Sequence, residues 1–464
     1  MIFNIDLRQS GSIALKDDNG LVLTYEELAK IIQGSHGMLS ERSLVLILAH
    51  NDVPTASFLL SCLEKGWVPL LVNSNIDELL LNEYILKYRP NAIFSGDVEK
   101  YSRLLKCLQK KKWFDSSIFI LNQEKHELNR NLSLLLPTSG STGSPKLVRH
   151  SYDNLRISAE SVSEFFKFTP SDVGLATLPI YYTMGLSVVY SLLSAGAQVR
   201  LSNYSITDRE FWNVLKSEEV SVLTGVPYSF DLLFKMRFER IKIPSLRIIS
   251  QGGGKLSDAV WEKLVIYAEQ NNLQFIPTYG QTEGTARMSF LDSKYTNTKK
   301  GSIGKAIPNG SFEIWDALDR PIEEMVATGE LIYKGGNVTL GYAEDLNDLK
   351  KGDERFGILR TGDIVRRDVD GFYYIIGRSK RFLKIFGLRI SLDEIELLIK
   401  NHFQIDCYCS GSDELLEIYV NREDLLEEIK FWLVKKINLF HNVVQVNYIV
   451  EIPRNNIGKV IFKS

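Results

Sequence analysis

The segment Leu132-Ser-Leu-Leu-Leu-Pro-Thr138-Ser-Gly-Ser-Thr-Gly-Ser-Pro-Lys146 sets a short apolar run directly against hydroxyls, glycines, a proline and a lysine. An apolar run of this length bounded by turn formers reads as a buried strand. The polar half reads as a loop that offers many donors while letting a ligand come close. Thr138, Ser139, Gly140, Ser141, Thr142 and Gly143, with Lys146 at the end, suit a triphosphate. The loop is not a Walker A motif, because Pro145 precedes the lysine and Leu147 follows it where that motif needs Gly-Lys-Ser/Thr. A helical stretch is expected to begin near His150.

Working outward, short β-branched or leucine-rich runs alternate with amphipathic helical stretches from about Ser43 to Phe290. The runs are Leu44 to Leu48, Leu132 to Leu136, Val220 to Leu223, Leu246 to Ile249 and Leu273 to Ile276. Phe211, Trp212 and Leu215, and Val260, Trp261, Leu264 and Val265, have helical spacing. This alternation predicts an α/β fold, a parallel sheet covered by helices. Ligands in such sheets gather at the carboxyl ends of the strands. Those ends read TSGSTGSPK, GVP, QGGG and TYGQTE, and four small-residue ends in one sheet predict a binding edge.

Beyond about Lys300 the pattern changes to short strands separated by glycine turns, with Asp370-Gly371 as a hairpin signal. A small antiparallel β unit is expected at about 301–376. After Gly377 come a basic stretch, a strand-turn, a Ser391-x-x-Glu394 capping box and its helix, then strand, helix and strand. The expected organisation is a large domain over 1–376, a hinge at 377–381 and a small α+β domain over 382–464.

Composition excludes several classes. The chain has 464 residues, 44% hydrophobic and 24% charged, with 55 basic against 57 acidic residues and a formal charge of -2. That balance supplies no broad positive surface for nucleic acid or anionic lipid. Cys62, Cys107, Cys407 and Cys409, with six histidines, do not form a zinc spacing. No window approaches the ~20 apolar residues of a membrane span. The first residues lack the basic and apolar regions of a signal peptide, so a cytoplasmic location is expected.

From Thr138 to Lys459 the chain resembles the adenylate-forming superfamily of acyl-CoA synthetases, adenylation domains and luciferases. After the phosphate loop come Tyr279-Gly-Gln-Thr-Glu283 (the family's YGxTE), Gly329-Glu-Leu331 through Gly341-Tyr342, and Thr361-Gly-Asp363. Gly377-Arg378 through Gly387-Leu-Arg389-Ile390 and Pro453-x-x-x-x-Gly458-Lys459 complete the series in the family's order. The resemblance implies that ATP and Mg2+ convert a carboxylic acid to acyl-AMP and that a thiol then takes the acyl group. It implies that Thr282 contacts the α-phosphate and Glu283 holds Mg2+. Tyr279 is implied to stack on adenine, and Asp363 to accept from the ribose with Arg378 beside it. Lys459 would neutralise charge at the reacting carboxylate. Lys380 would be the hinge, with Lys384 and Gly387 beyond it and Gly387 lining a tunnel for the thiol.

Substrate choice is less legible. Pro179-Ile-Tyr-Tyr182-Thr-Met-Gly185 resembles the synthetases' P-x-x-H-x-x-G with tyrosine in place of histidine, and no aspartate stands ready for an α-ammonium group. A non-amino acid is favoured, with Gly252, Gly253 and Gly254 as one pocket wall and Tyr182, Tyr228 and Tyr279 around it. CoA and carrier-protein phosphopantetheine present the same thiol, and an acceptor in trans is expected. A free-standing amino-acid-activating enzyme, a luciferase-like oxygenase and a nucleotide-binding module without turnover are the competing readings.

Overall fold

The structure, a computed structural model, describes residues 2–97, 99–101, 107–122, 124–137, 146–379, 381–385, 388–412, 414–437, 439–454 and 460. The expected α/β class is borne out, but the region read as one parallel sheet is divided between two. In the first, strands Gln274–Tyr279, Ile248–Gln251, Val222–Gly225, Val173–Ala176, Gln198–Leu201 and Ile13–Lys16 lie side by side and parallel. In the second, Leu132–Pro137, Val68–Asn73, Leu44–Ala49 and Ala92–Ser95 form the parallel centre. Both sheets carry antiparallel strands at their edges.

The strand Leu44–Ala49 shows why its sequence is continuously apolar: all six residues are buried. Val45 and Ile47 enter a core shared with Leu192 of helix Thr183–Ala195 and Val199 of the first sheet. Leu44, Leu46 and Leu48 face the opposite way, onto Tyr84 and Tyr88 of helix Glu78–Tyr88. A strand covered on both faces loses the polar alternation of a half-exposed one. Strands of either sheet therefore look alike in sequence, and nothing local says which sheet each joins.

The division separates the four small-residue strand ends. GVP, QGGG and TYGQTE lie at the ends of three neighbouring strands in the first sheet, whereas TSGSTGSPK follows Leu132–Pro137 in the second. After Lys146 a strand that was not anticipated precedes the helix expected near His150. Leu147–Ser151 is a strand antiparallel to Leu132–Pro137, and the helix begins at Tyr152. Ser151 fixes that start, because its hydroxyl accepts from Asn154 N while Asn154 Oδ1 accepts from Ser151 N.

Strands Gly310–Trp315, Ala327–Gly335, Ile358–Arg367 and Tyr373–Arg378 make the expected antiparallel unit, with Gly371 at a φ of 77° in its hairpin. The carboxyl-terminal part has its own core, in which Ile395 and Ile399 pack with Leu416, Ile418, Ile429 and Leu433. Helix Leu392–Phe403 is capped by Ser391, whose hydroxyl accepts from Glu394 N at 3.2 Å, one half of the expected capping box. This part meets the rest through Lys400 and Asp231 at 2.9 Å, Asn401 Oδ1 accepting from Asp258 N, and Arg454 over the Tyr228 ring. Among the described residues no helix is long and apolar enough to cross a membrane.

Candidate functional site

The end of strand Gln274–Tyr279 is the centre of the arrangement. A Cβ on Gly280 would lie 1.8 Å from the Ala286 carbonyl oxygen, so glycine alone lets the chain fold back against this strand. Thr285 and Ala286, at φ of 50° and 77°, complete the reversal in a conformation that costs a non-glycine residue energy. Asn337 braces the turn, donating from Nδ2 to the carbonyls of Gly284 and Arg287. Thr339 donates from its hydroxyl and its N to Glu283 O. The side chains of Thr282 and Glu283 thus project from a fixed backbone.

Four segments converge here. Thr282 Oγ1 accepts from Thr183 Oγ1 at 3.0 Å, at the first turn of helix Thr183–Ala195. Glu283 Oε1 accepts from the Tyr342 hydroxyl at 2.7 Å. Tyr342 lies on strand Gly341–Ala343, which extends the second sheet beside Leu147–Ser151. Its hydroxyl pKa is pushed up to about 12, first by burial and then by the Glu283 charge. Lys146 Nζ lies 5.3 Å from the centre of the Tyr342 ring and pairs with Glu344 Oε1 at 2.8 Å. A cavity of about 550 Å3 opens here, with Lys146, Tyr342, Glu344 and Arg355 in its wall.

Arg149 holds the Tyr342 strand in place. Its side chain is fully buried and donates to the carbonyls of Tyr342, Lys351, Gly352 and Leu340, and it pairs with Glu354. Removing it would leave those carbonyls without their donor and loosen the strand that carries Tyr342, while Glu354, half exposed, would remain solvated.

Asp363 sits on the antiparallel unit and is 2% exposed. Its Oδ2 accepts from the Tyr279 hydroxyl at 2.5 Å and from Gln281 Nε2 at 2.8 Å, and its Oδ1 lies 3.3 Å from Arg378 Nε. Arg378 faces Asp363 across the Ile358–Arg367 and Tyr373–Arg378 pairing and is largely exposed. Burial raises the Asp363 pKa, and Arg378 and the two hydrogen bonds oppose that rise. The Tyr279 ring packs in the core with Met288 and Tyr333.

The glycine wall faces Tyr182 and Met184. A Cβ on Gly252 would fall 2.8 Å from Thr278 Oγ1 and 2.9 Å from Met184 Cε, and one on Gly253 3.0 Å from the Tyr182 hydroxyl. Gly254 abuts Pro227. Tyr228, expected around the pocket rather than in this wall, is 42% exposed and lies under Arg454.

Lys384 lies on strand Phe382–Ile385, its backbone paired with Arg389. Thr138, Ser139, Gly140, Ser141, Thr142, Gly143, Lys380, Gly387 and Lys459 lie outside the described residues. Sequence reasoning missed Gln281, the variable position of YGxTE, and Thr183 and Arg287. For Arg287 a signal existed, a lone charge within the small and apolar run Gly284-Thr-Ala-Arg-Met-Ser-Phe290.

Two sheets meeting at one edge, with a hydroxyl-rich turn, a buried aspartate and a small carboxyl-terminal unit, define an adenylate-forming enzyme. The chain belongs to the AMP-binding enzyme family, whose family model matches residues 7–343. It is similar to the 2-succinylbenzoate–CoA ligase of Listeria monocytogenes serotype 4b (strain F2365), 24% identical over 94% of this chain and 92% of that one. It is also similar to the oxalate–CoA ligase of Arabidopsis thaliana, 30% identical over 58% of this chain and 52% of that one. Among solved structures it resembles the o-succinylbenzoate CoA synthetase (MenE) of Bacillus subtilis in complex with the acyl-adenylate intermediate OSB-AMP. That likeness has a TM-score of 0.78 at 21% identity and covers 97% of this chain and 94% of the other. The expectation of an adenylate-forming enzyme is borne out.

Proposed function

We propose that this chain is an AMP-forming ligase that activates a small carboxylic acid and passes the acyl group to the thiol of CoA. The observation that carries this reading is the convergence of Thr282 and Glu283, Lys146 and Asp363, drawn from three separate segments, around the end of strand Gln274–Tyr279. The acid's carboxylate attacks the α-phosphorus of ATP and expels pyrophosphate. The thiol then attacks the acyl carbonyl and releases AMP.

Asp363 holds the ribose hydroxyls, with Arg378 alongside, and Tyr279 carries the adenine. Thr282 contacts the α-phosphate, while Lys146 and Thr138 to Gly143 take the outer phosphates. Lys146 must exchange its Glu344 partner for phosphate, which a half-exposed pair permits at little cost. Among the described residues no group of three or more His, Cys, Asp or Glu could hold a metal ion. A lone Glu283 carboxylate nevertheless fits Mg2+, which binds through one or two carboxylates with phosphates and water completing its shell. When bound, Mg2+ neutralises charge on the phosphates.

Lys459 serves adenylation and is carried on the small domain, 382–464, which turns about Lys380 within 377–381 relative to 1–376. Lys384 lies beyond the hinge, and Gly387 lines the thiol's approach. The described contacts at Lys400, Asn401 and Arg454 are polar and would have to break in such a turn. The CoA ligases among the relatives support CoA as the acceptor, and a carrier protein in trans is the second candidate. No aspartate stands in Pro179-Ile-Tyr-Tyr182-Thr-Met-Gly185 to pair with an α-ammonium group, which favours a non-amino acid over an amino-acid substrate.

A panel of carboxylic acids assayed for acid-dependent pyrophosphate release tests the reading. Release with at least one acid, accompanied by AMP, is expected. Release of phosphate and ADP, or no dependence on any acid, would overturn it.

A further inference from the structure

Arg287 is a buried cation for which the proposed reaction, as described so far, has no use. It is 1% exposed, among the largest fully buried side chains of the protein. Its NH1 donates to Ser187 Oγ, its guanidinium lies 5.3 Å from the centre of the Phe166 ring, and its Nε is buried without a hydrogen-bond partner. Among the described residues no carboxylate pairs with it; its charge is felt instead by the hydroxyls of Tyr182 and Tyr190. Burial alone is enough to draw its pKa down to about 10, and it stays protonated at neutral pH.

A guanidinium taken out of water without a counter-ion is costly, and buried arginines are ordinarily paired. Here the cost is built in deliberately. The reversal at Gly280, with Thr285 and Ala286 in left-handed conformations, turns Arg287 inward toward helix Thr183–Ala195. Along that helix, Thr183 touches Thr282 and Ser187 touches Arg287. Thr183 and Ser187 are one turn apart, so Arg287 lies roughly 6 Å deeper than the Thr282 hydroxyl, on the same helical face. Tyr182, which faces the glycine wall at Gly253, stands close to Arg287.

We propose that Arg287 receives a second carboxylate of the acid substrate, so that the enzyme activates one end of a dicarboxylic acid while Arg287 holds the other. The inference rests on the acid-activating function proposed above. A planar guanidinium matches a carboxylate in a two-point contact, and its unpartnered Nε supplies one of the two donors. The one-turn offset suits the two carboxylates of a dicarboxylic acid of about four to six carbons in all. The same charge selects by exclusion, because a monocarboxylic acid of equal length would leave the guanidinium buried and unpaired beside an apolar tail.

The test compares straight-chain dicarboxylates of four to six carbons with monocarboxylates of the same length, in acid-dependent ATP–pyrophosphate exchange and in calorimetric binding without ATP. The protein as it stands is expected to favour the dicarboxylates by about 10²-fold in kcat/KM. Arg287→Met should abolish that preference and leave the monocarboxylates equal or better, and Arg287→Lys, which keeps a cation, should retain part of it. Comparable melting temperatures show that the variants fold; where the Met variant does not, the Lys variant and the unmodified protein's preference decide. Equal use of both acid types, or equal loss for both in the variants, would overturn the assignment while leaving the acid-ligase function intact. Arg287-dependent binding of dicarboxylates without any exchange would instead support the site and overturn the function.

Discussion

Tyr279→Phe isolates one hydrogen bond at the centre of the nucleotide site, because it keeps the aromatic ring and removes only the hydroxyl that donates to Asp363. Asp363 is buried, and its ionised form depends on Arg378, Tyr279 and Gln281 against a burial effect that raises its pKa. A hydrogen bond to a charged group contributes about 1.5–3 kcal/mol. At about 1.4 kcal/mol per unit, its loss should raise the Asp363 pKa by a further one to two units. Ribose hydroxyls donate to the ionised carboxylate, so kcat/KM for ATP should fall on the acid side as Asp363 protonates. The assay is the pH dependence of kcat/KM for ATP, with the acid substrate saturating. The variant's acid limb should move to higher pH by about one to two units, with up to about tenfold lower activity for each unit inside that window. Stability adds an independent sign. A carboxylate whose folded pKa is raised supports folding below its unfolded pKa and loses that contribution as pH rises through the folded pKa. The variant should therefore be more destabilised near pH 7 than near pH 4. An acid limb that stays in place, with ATP dependence unchanged, would refute the assignment of Asp363 to the ribose.

Three further outcomes follow from particular contacts. Glu283→Gln keeps the acceptor for Tyr342 but loses a charge, so adenylation at limiting Mg2+ should fall at least about tenfold, and unchanged Mg2+ dependence would remove Glu283 from the metal. Lys459→Ala should lower adenylation by about 10²-fold yet still form thioester from supplied acyl-AMP, while Gly387→Leu should do the reverse; equal losses in both half-reactions would contradict a hinge at Lys380. His150 is fully buried, with Nε2 unpartnered, and burial holds its pKa at about 3, so its contribution to stability is complete above about 6.5 and is lost as pH falls toward 3. Unfolding free energies from urea titrations at pH 7 and pH 5 should differ less in His150→Gln, by roughly 1.4 kcal/mol per pH unit below about 6.5, and an unchanged difference would mean that other groups set the acid sensitivity.

Residues whose role is local were legible in the sequence. Asp370-Gly371 announced its hairpin, and the helices carrying Phe211 and Trp261 followed from spacing. The order of the motifs brought Tyr279, Asp363 and Arg378 into one reading, and these side chains do meet in space. Features that depend on distant pairings were not legible. Strand Leu132–Pro137 joins Val68–Asn73 rather than the strands that end in GVP and QGGG, and a strand buried on both faces carries no mark of its neighbours. The strand Leu147–Ser151 was hidden because Arg149 and His150 break its apolar run, although both are fully buried. Arg149 satisfies carbonyls nearly two hundred residues away, which no local pattern reveals. The inward aim of Arg287 arises from backbone conformation at Thr285 and Ala286, residues with no intrinsic preference for it.

If one chain performs both adenylation and thioester formation, a single turnover mixture must yield the products of both steps in fixed ratio. The protein is mixed with limiting ATP, Mg2+, CoA and an acid that supports pyrophosphate release, and AMP, pyrophosphate and acyl-CoA are quantified together. The three products should accumulate in equal amounts, and omitting CoA should leave acyl-AMP on the protein. AMP and pyrophosphate without acyl-CoA, or acyl-CoA accompanied by ADP, would contradict the two-step reaction.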